Sequence, residues 1–202
     1  MLDQLLNLVK EQAQGAVVNN SEVPNEQNEG IMQEAVSSIT GGLKDELASG
    51  GFKNVLKTLG GQASTSGGNS VVDNICGKFV SGIVEKFGIN QQTAQSIASS
   101  VIPAVMGSLA KKTNDPNDSS FDLNGIFNHL TDGKASGLNL GGILQSVSGG
   151  LDKDHDGDVD LSDITSMFSG ATQGQQNPTD APQAQENSGG IMGALKGMLG
   201  GK

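Results

Sequence analysis

The stretch 30-GIMQEAVSSITGGLKDEL-47 decides the fold class of this chain, because its apolar residues recur at helical spacing. Residues four positions apart lie on the same face of an α-helix, about one turn from each other. The apolar positions at this spacing are Ile31, Ala35, Ile39, Leu43 and Leu47. The stretch therefore predicts an amphipathic helix with one face turned towards a core.

A second apolar stripe with the same spacing follows in the other half of the chain, at Ile97, Val101, Val105 and Leu109. Asn90 stands ahead of this stripe as a predicted N-cap, and Pro103 predicts a kink near Ser99. No segment of the sequence shows the sustained period-two alternation of a half-buried strand. We therefore predict an all-α fold.

Three segments of the first half have weak echoes, in the same order, in the second half. Segment 33-QEAVSSI-39 returns as 95-QSIASSV-101, 2-LDQLLNLVKE-11 as 72-VDNICGKFVSGIVEKF-87, and 52-FKNVLKTLGG-61 as 123-LNGIFNHLTDG-133. We interpret them as two related helical units, 1–62 and 70–134, joined by the Gly/Ser-rich linker 62-QASTSGGNS-70; chance similarity is the alternative. Together they predict a helical bundle domain over residues 1–134.

This pattern resembles the YidB-like bacterial family of unknown function. The resemblance is carried by 2-LDQLLNLVKEQ-12, by 30-GIMQEAVSSITGGLKDEL-47, and by the later GGIL and GGIMGAL repeats that begin at Gly141 and Gly189. It covers about residues 1–147 and implies an all-helical bundle. It implies no activity, cofactor or binding residue.

The segment 151-LDKDHDGDVDLSDI-164 has a dense, regularly spaced set of carboxylates. Counted from Asp152, the spacing matches an EF-hand calcium loop, with Gly157 at the sixth position, where the loop turns sharply. The candidate metal-binding residues are Asp152, Asp154, Asp156, Asp158, Asp160 and Asp163. Calcium prefers six to eight oxygen ligands, which alternating carboxylates on a tight loop supply. An acidic surface turn is the alternative interpretation.

The last loop position departs from the usual pattern, because Asp163 stands where an EF-hand normally has Glu. The shorter side chain predicts weaker affinity or poorer discrimination against Mg²⁺, and it resembles the loop of dockerin modules. We expect an EF-hand-like calcium-binding segment over 138–169, with helices over 140–147 and 161–168. A second acidic stretch, 115-DPNDSSFDLNGI-126, lacks glycine at the sixth position and an acid at the twelfth, so we reject it as a calcium loop.

The C-terminal part of the chain predicts a disordered linker over 170–188 and a short glycine-rich amphipathic helix over 189–202. Glycines recur there at every fourth residue, at Gly189, Gly193, Gly197 and Gly201. A 14-residue helix is about 21 Å long, too short to cross a bilayer. The tail could dock on the protein's own helices, mediate self-association, or lie on a membrane surface with the help of Lys196 and Lys202.

Composition narrows the function further. The net charge is −10 and no basic stripe exists, so we do not expect a nucleic-acid partner. Neither His129 nor His155 has a partner for a nucleophilic triad or a zinc site, and Cys76 lies on an apolar stripe as a small buried hydrophobe. We see no secretory signal and no membrane span, which makes the cytoplasm the default compartment.

We therefore expect a non-enzymatic, calcium-binding helical protein. In this hypothesis Ca²⁺ (or Mg²⁺) orders the loop and its exiting helix for packing or for binding a protein partner or a second copy. The alternative is a self-assembling or membrane-surface protein that acts through its glycine-rich tail, with calcium incidental.

Overall fold

The structure, a computed structural model, describes residues 2–118, 120–133, 135, 137 and 139–147. No strand occurs among these residues, which confirms the all-α prediction. The seven α-helices of this part of the chain are α1 (Leu2–Ala13), α2 (Asn28–Ala48), α3 (Phe52–Leu59), α4 (Ser70–Phe87), α5 (Gln91–Thr113), α6 (Leu123–Leu130) and α7 (Leu140–Val147). A π-helical turn (Gln14–Val18) and a 3-10 turn (Asn25–Gln27) connect α1 to α2.

Four long helices form the body of the bundle. Helix α1 packs against α2, α2 against α4, α4 against α5, and α5 against α1, so the four surround a shared apolar interior. Both predicted stripes face this interior. All four apolar positions of α5 are at most 3 % exposed, and Ile31, Ala35, Ile39 and Leu43 of α2 are at most 2 % exposed. The two predicted units therefore contribute to one core.

Polar caps fix where the later helices begin. The side chain of Asn90 accepts a hydrogen bond from the amide of Thr93 at 2.8 Å, as the sequence predicts. Asn69, Asp122 and Asn139 cap α4, α6 and α7 in the same way. Each cap contributes about 1 kcal/mol, because it satisfies an amide that the first helical turn leaves without an acceptor.

The three short helices pack together around the body of the bundle. Helix α3 contacts α2, α4 and α5, while α7 contacts α3 and α6. The rings of Phe52 and Phe127 join α3 to α6, with centroids 5.2 Å apart and planes inclined at 58°. Leu140, Ile143 and Leu144 of α7 are buried in the same core.

Adjacent glycines on α2 face very different surroundings. A Cβ atom added to Gly42 would lie 2.5 Å from Cγ1 of Ile75 on α4 and 3.5 Å from its Cα. A Cβ atom added to Gly41 would meet no described atom within 4 Å. Gly42 therefore sets how closely α2 and α4 approach, whereas Gly41 does not contribute to packing within the described chain.

This difference gives a matched pair of stability predictions. We expect Gly41→Ala to raise the free energy of unfolding, because alanine is about 1 kcal/mol better than glycine inside a helix. Gly42→Ala gains the same helix preference but overpacks the α2–α4 contact at a cost of about 1–3 kcal/mol. Urea unfolding of the two variants measures the packing cost as their difference; equal midpoints would contradict the close approach of α2 and α4.

Candidate functional site

The predicted metal ligands, Asp152, Asp154, Asp156, Asp158, Asp160 and Asp163, all lie outside the described residues. So do the predicted exiting helix over 161–168, the linker over 170–188 and the tail over 189–202. The helix expected to enter the loop is present as α7, which ends at Val147. Residues 148–151 separate it from the first loop position.

Hydrogen bonds and close packing hold helix α7 in place. At its start, the side chain of Asn139 accepts a hydrogen bond from the amide of Gly142 at 3.0 Å. Near its end, Nε2 of Gln62 donates to the carbonyl of Leu144 at 3.2 Å. A Cβ atom on Gly60 would lie 2.5 Å from Leu144, so the end of α3 and α7 are in close contact. The chain thus enters the predicted calcium segment from a helix fixed to the core.

The acidic stretch 115–126, rejected above as a calcium loop, uses its carboxylates for local structure. Oδ1 of Asp115 accepts from the amide of Asn117 at 2.9 Å, and Oδ1 of Asp122 accepts from the amide of Gly125 at 2.7 Å as the cap of α6. Asp118 pairs with Lys112 at 2.8 Å. Among all described residues, no group of three or more His, Cys, Asp or Glu side chains could hold a metal ion.

Two open grooves run along α4. The first, of about 510 Å³, lies between α4 and α5 and is lined by apolar and small residues and by the polar side chains of Asp73, Gln91 and Gln95. The second, of about 560 Å³, lies between α2 and α4 and is lined mainly by small and charged residues. Asp73, Gly77 and Ser81 of α4 border both grooves.

Two ion pairs cross the groove between α2 and α4. Nζ of Lys78 lies 2.6 Å from Oδ2 of Asp45, and Nζ of Lys86 lies 2.6 Å from Oε2 of Glu34. The carboxylates of the remaining acids on this part of α4, Asp73 and Glu85, have no hydrogen-bond or ion-pair partner among the described residues. The free charge at the grooves is therefore negative.

Cys76 is half-buried in the wall of the first groove, and its Sγ lies 3.7 Å from the carbonyl of Ala98. Burial raises the pKa of the Cys76 thiol to about 11, and the negative charge of Asp73 adds to the increase. A nucleophilic cysteine needs a lowered pKa, so this thiol is poorly suited to catalysis. His129 is exposed on α6, which agrees with a surface histidine.

The sequence did not predict the grooves. Its one available signal was the pair of small residues Gly77 and Ser81, one turn apart on the polar side of α4. Small residues on a polar helix face are common, and only the neighbouring helices show that this face is flanked by clefts.

The profile of a family described as "Bacterial protein of unknown function (DUF937)" matches residues 69–202. This range overlaps the second part of the region that carries the YidB-like resemblance, and it continues through the acidic loop and the glycine-rich tail. No curated protein matches the chain, and no solved structure matches it. No helix in the described part of the chain is long and apolar enough to cross a membrane.

The raised pKa of Cys76 predicts slow reaction with a thiol reagent. At pH 8 the folded thiol should react about a hundredfold more slowly than the same thiol in the urea-unfolded chain, because its thiolate fraction is that much smaller. Asp73→Asn removes the nearby negative charge and should increase the rate. Stopped-flow reaction with Ellman's reagent measures both; equal rates in the folded and unfolded chains would contradict the burial of Cys76.

The Lys112–Asp118 pair predicts a pH-dependent stability. Hydrogen bonds from Lys112, and then from Ser120, hold the pKa of Asp118 well below its usual range. A depressed pKa in the folded state contributes stability above the unfolded pKa, which is lost as the pH falls through the folded pKa. Asp118→Asn should therefore be destabilised at pH 7, with a difference from wild type that shrinks on acidification. Urea unfolding between pH 7 and pH 2 measures this; a constant difference would contradict the pairing.

Proposed function

Since the chain belongs to the DUF937 family of bacterial proteins of unknown function, whose profile matches 134 of its 202 residues (69–202), we propose a function from its own residues: a non-enzymatic, calcium-binding helical protein. In this proposal the six aspartates from Asp152 to Asp163 bind Ca²⁺, with Mg²⁺ as the competing ion. We also propose that the chain is a YidB-like member of this family and acts in the cytoplasm.

The observation that carries the proposal is the spacing of the donors in 152–163. Carboxylates at positions one, three, five, nine and twelve, with glycine at six, supply the hard oxygen ligands that calcium prefers. Crowding six negative charges is unfavourable without a cation, because like charges at this separation repel. Bound Ca²⁺ removes this repulsion, so we expect metal binding to change the conformation of the segment.

The packing of α7 in the described fold supports a coupling between metal binding and helix packing. Helix α7 enters the segment from the core, with Leu140 fully buried and Leu144 in contact with Gly60. A loop that begins close to a fixed helix loses less conformational entropy when a cation orders it. In the proposal, Ca²⁺ then fixes the predicted exiting helix over 161–168, which gains a packing partner in this chain, in another protein or in a second copy.

A second candidate function is self-association or membrane-surface binding through residues 189–202, with calcium incidental. The favouring observation is the pair of open grooves along α4, which offer a surface to a small-faced helix. A double variant, Gly193→Leu and Gly197→Leu, distinguishes self-association from membrane-surface binding. Leucines should abolish association through a glycine face, measured by sedimentation, but should preserve or strengthen binding to anionic vesicles.

Calorimetric titration with Ca²⁺ in millimolar Mg²⁺ tests the calcium proposal. We expect one saturable site per chain, a gain of helix by circular dichroism, and a higher melting temperature. At a Ca²⁺ concentration of 100 Kd, linkage stabilises the folded chain by about 2.7 kcal/mol. Asp152→Ala and Asp163→Ala should each remove the binding heat, whereas Asp163→Glu should increase selectivity for Ca²⁺ over Mg²⁺.

Asp3→Ala is the matched control, because it removes an exposed acid on α1, far from the loop in sequence. It should leave the titration unchanged. If Asp152→Ala and Asp163→Ala also retain the wild-type heat, the segment 152–163 is an acidic surface turn and the calcium proposal fails.

A further inference from the structure

Two groups of helices in the described bundle cover each other's apolar sides. We call α1–α3 the first unit and α4–α6 the second unit. Helix α2 of the first unit packs on α4 of the second, and α5 of the second unit packs on α1 of the first. The buried apolar side chains of both units belong to one cluster. Each unit therefore completes the core of the other.

One short segment connects the two units. Residues 60–69 run from the end of α3 to the start of α4. Contacts that cross between the units, such as that of Gly42 with Ile75, do not involve this segment. The same contacts would form if the first unit of one chain packed on the second unit of another chain. Exchange of an identical element between two copies is a low-cost route to a dimer.

Asn69 ties the connecting segment into a closed loop. Its Nδ2 donates to Oγ1 of Thr58 at 3.0 Å and to the carbonyl of Ser64 at 2.6 Å. Thr58 is buried in the last turn of α3, so the first of these bonds joins the end of one unit to the start of the next. Oδ1 of Asn69 accepts from the amide of Val71 at 3.0 Å and so caps α4. One side chain thus fixes both the start of α4 and the closed form of the loop.

Two glycines with positive φ angles shape the closed loop. Gly61 has a φ of 69° and Gly68 a φ of 91°, in the left-handed region that residues with a Cβ rarely adopt. A Cβ atom added to Gly68 would meet no described atom within 4 Å, so the backbone conformation is what disfavours other residues there. The adjacent Gly67 has equally open surroundings but no positive φ. The closed loop therefore favours glycine at position 68 but not at position 67.

We propose that Asn69 is a clasp that keeps the two units paired within one chain, and that the partner it excludes is a second copy of this chain. In the closed form the two units of one chain pack together, whereas in the open form two chains exchange units. The open form loses the bonds from Nδ2 of Asn69 in each chain. It keeps the cap of α4, because that bond involves only Asn69 and the first turn of α4. The clasp therefore controls the choice between a monomer and an exchanged dimer.

Sedimentation velocity of the full-length chain, refolded from urea over a range of protein concentrations, tests the clasp. We expect the wild type to be a monomer and Asn69→Ser to form a dimer with the helix content of the wild type. Serine still caps α4 but is too short to reach Thr58 and Ser64. The association constant should rise by about a hundredfold or more, because exchange no longer breaks two hydrogen bonds in each chain, each of which favours the closed form by a factor of about five.

Matched variants separate the clasp from the cap. Asn90→Ser makes the same change at the cap of α5, where the side chain accepts from the amide of Thr93 and makes no clasp, so it should stay monomeric. Gly68→Ala strains the closed loop and should favour the dimer, whereas Gly67→Ala should not. Should Asn69→Ser fold poorly, the pair of glycine variants reports on the same choice between the closed and open forms.

Complementation distinguishes the exchange of units from association through outer surfaces. In the Asn69→Ser chain, Ile39→Asp disrupts the first unit and Phe79→Asp the second, because each places a charge at a fully buried position. Each of these variants alone should lose helix, measured by circular dichroism. When the two are unfolded, mixed and refolded together, they should regain helix and cooperative unfolding, because the intact first unit of one chain packs on the intact second unit of the other.

Three outcomes would overturn the proposal. The first is that Asn69→Ser and Gly68→Ala dimerise no more than the wild type. The second is equal dimerisation of Asn69→Ser and Asn90→Ser, which would assign the effect to the caps and not to the clasp. The third is a dimer of Asn69→Ser without any recovery of helix in the complementation mixture; the two copies would then associate through their outer surfaces.

Discussion

The close contact between α2 and α4 at Gly42 and Ile75 is the constraint on which the rest of the described structure depends. With no Cβ at Gly42, the two helices come near enough for both apolar stripes to share one interior. That approach also brings Lys78 and Lys86 within reach of Asp45 and Glu34. The same helix spacing sets the width of the groove between α2 and α4, so packing and surface shape have one origin.

The two acidic stretches of the chain differ in how their carboxylates are spaced. In 115–126 each described acid has a local structural role, because Asp115 closes a turn, Asp118 pairs with Lys112, and Asp122 caps α6. The six aspartates of 152–163 alternate instead, with glycine at the turn, as a cation site requires. Because α7 is fixed to the core, the proposed calcium segment starts from a rigid support, which is an advantage for a site that couples binding to folding.

Glycine has a different setting on the outer sides of α2 and α4. Gly42 is required inside the bundle, whereas Gly41 and Gly77 weaken their helices without serving any described contact. Membership of a family of unknown function assigns no activity. The half-buried Cys76, with its raised pKa, is a poor nucleophile.

The sequence by itself determined the fold class, the two apolar stripes and the Asn90 cap, because spacing of 3.6 residues and capping chemistry are local properties. The spacing of the six aspartates in 152–163 is equally local and remains a prediction. Only the tertiary structure decided which helices are neighbours, that α3, α6 and α7 pack together, and that Gly41 and Gly42 have opposite surroundings. These features depend on contacts between residues distant in sequence, such as Gly42 with Ile75 and Gln62 with Leu144, which no local pattern encodes.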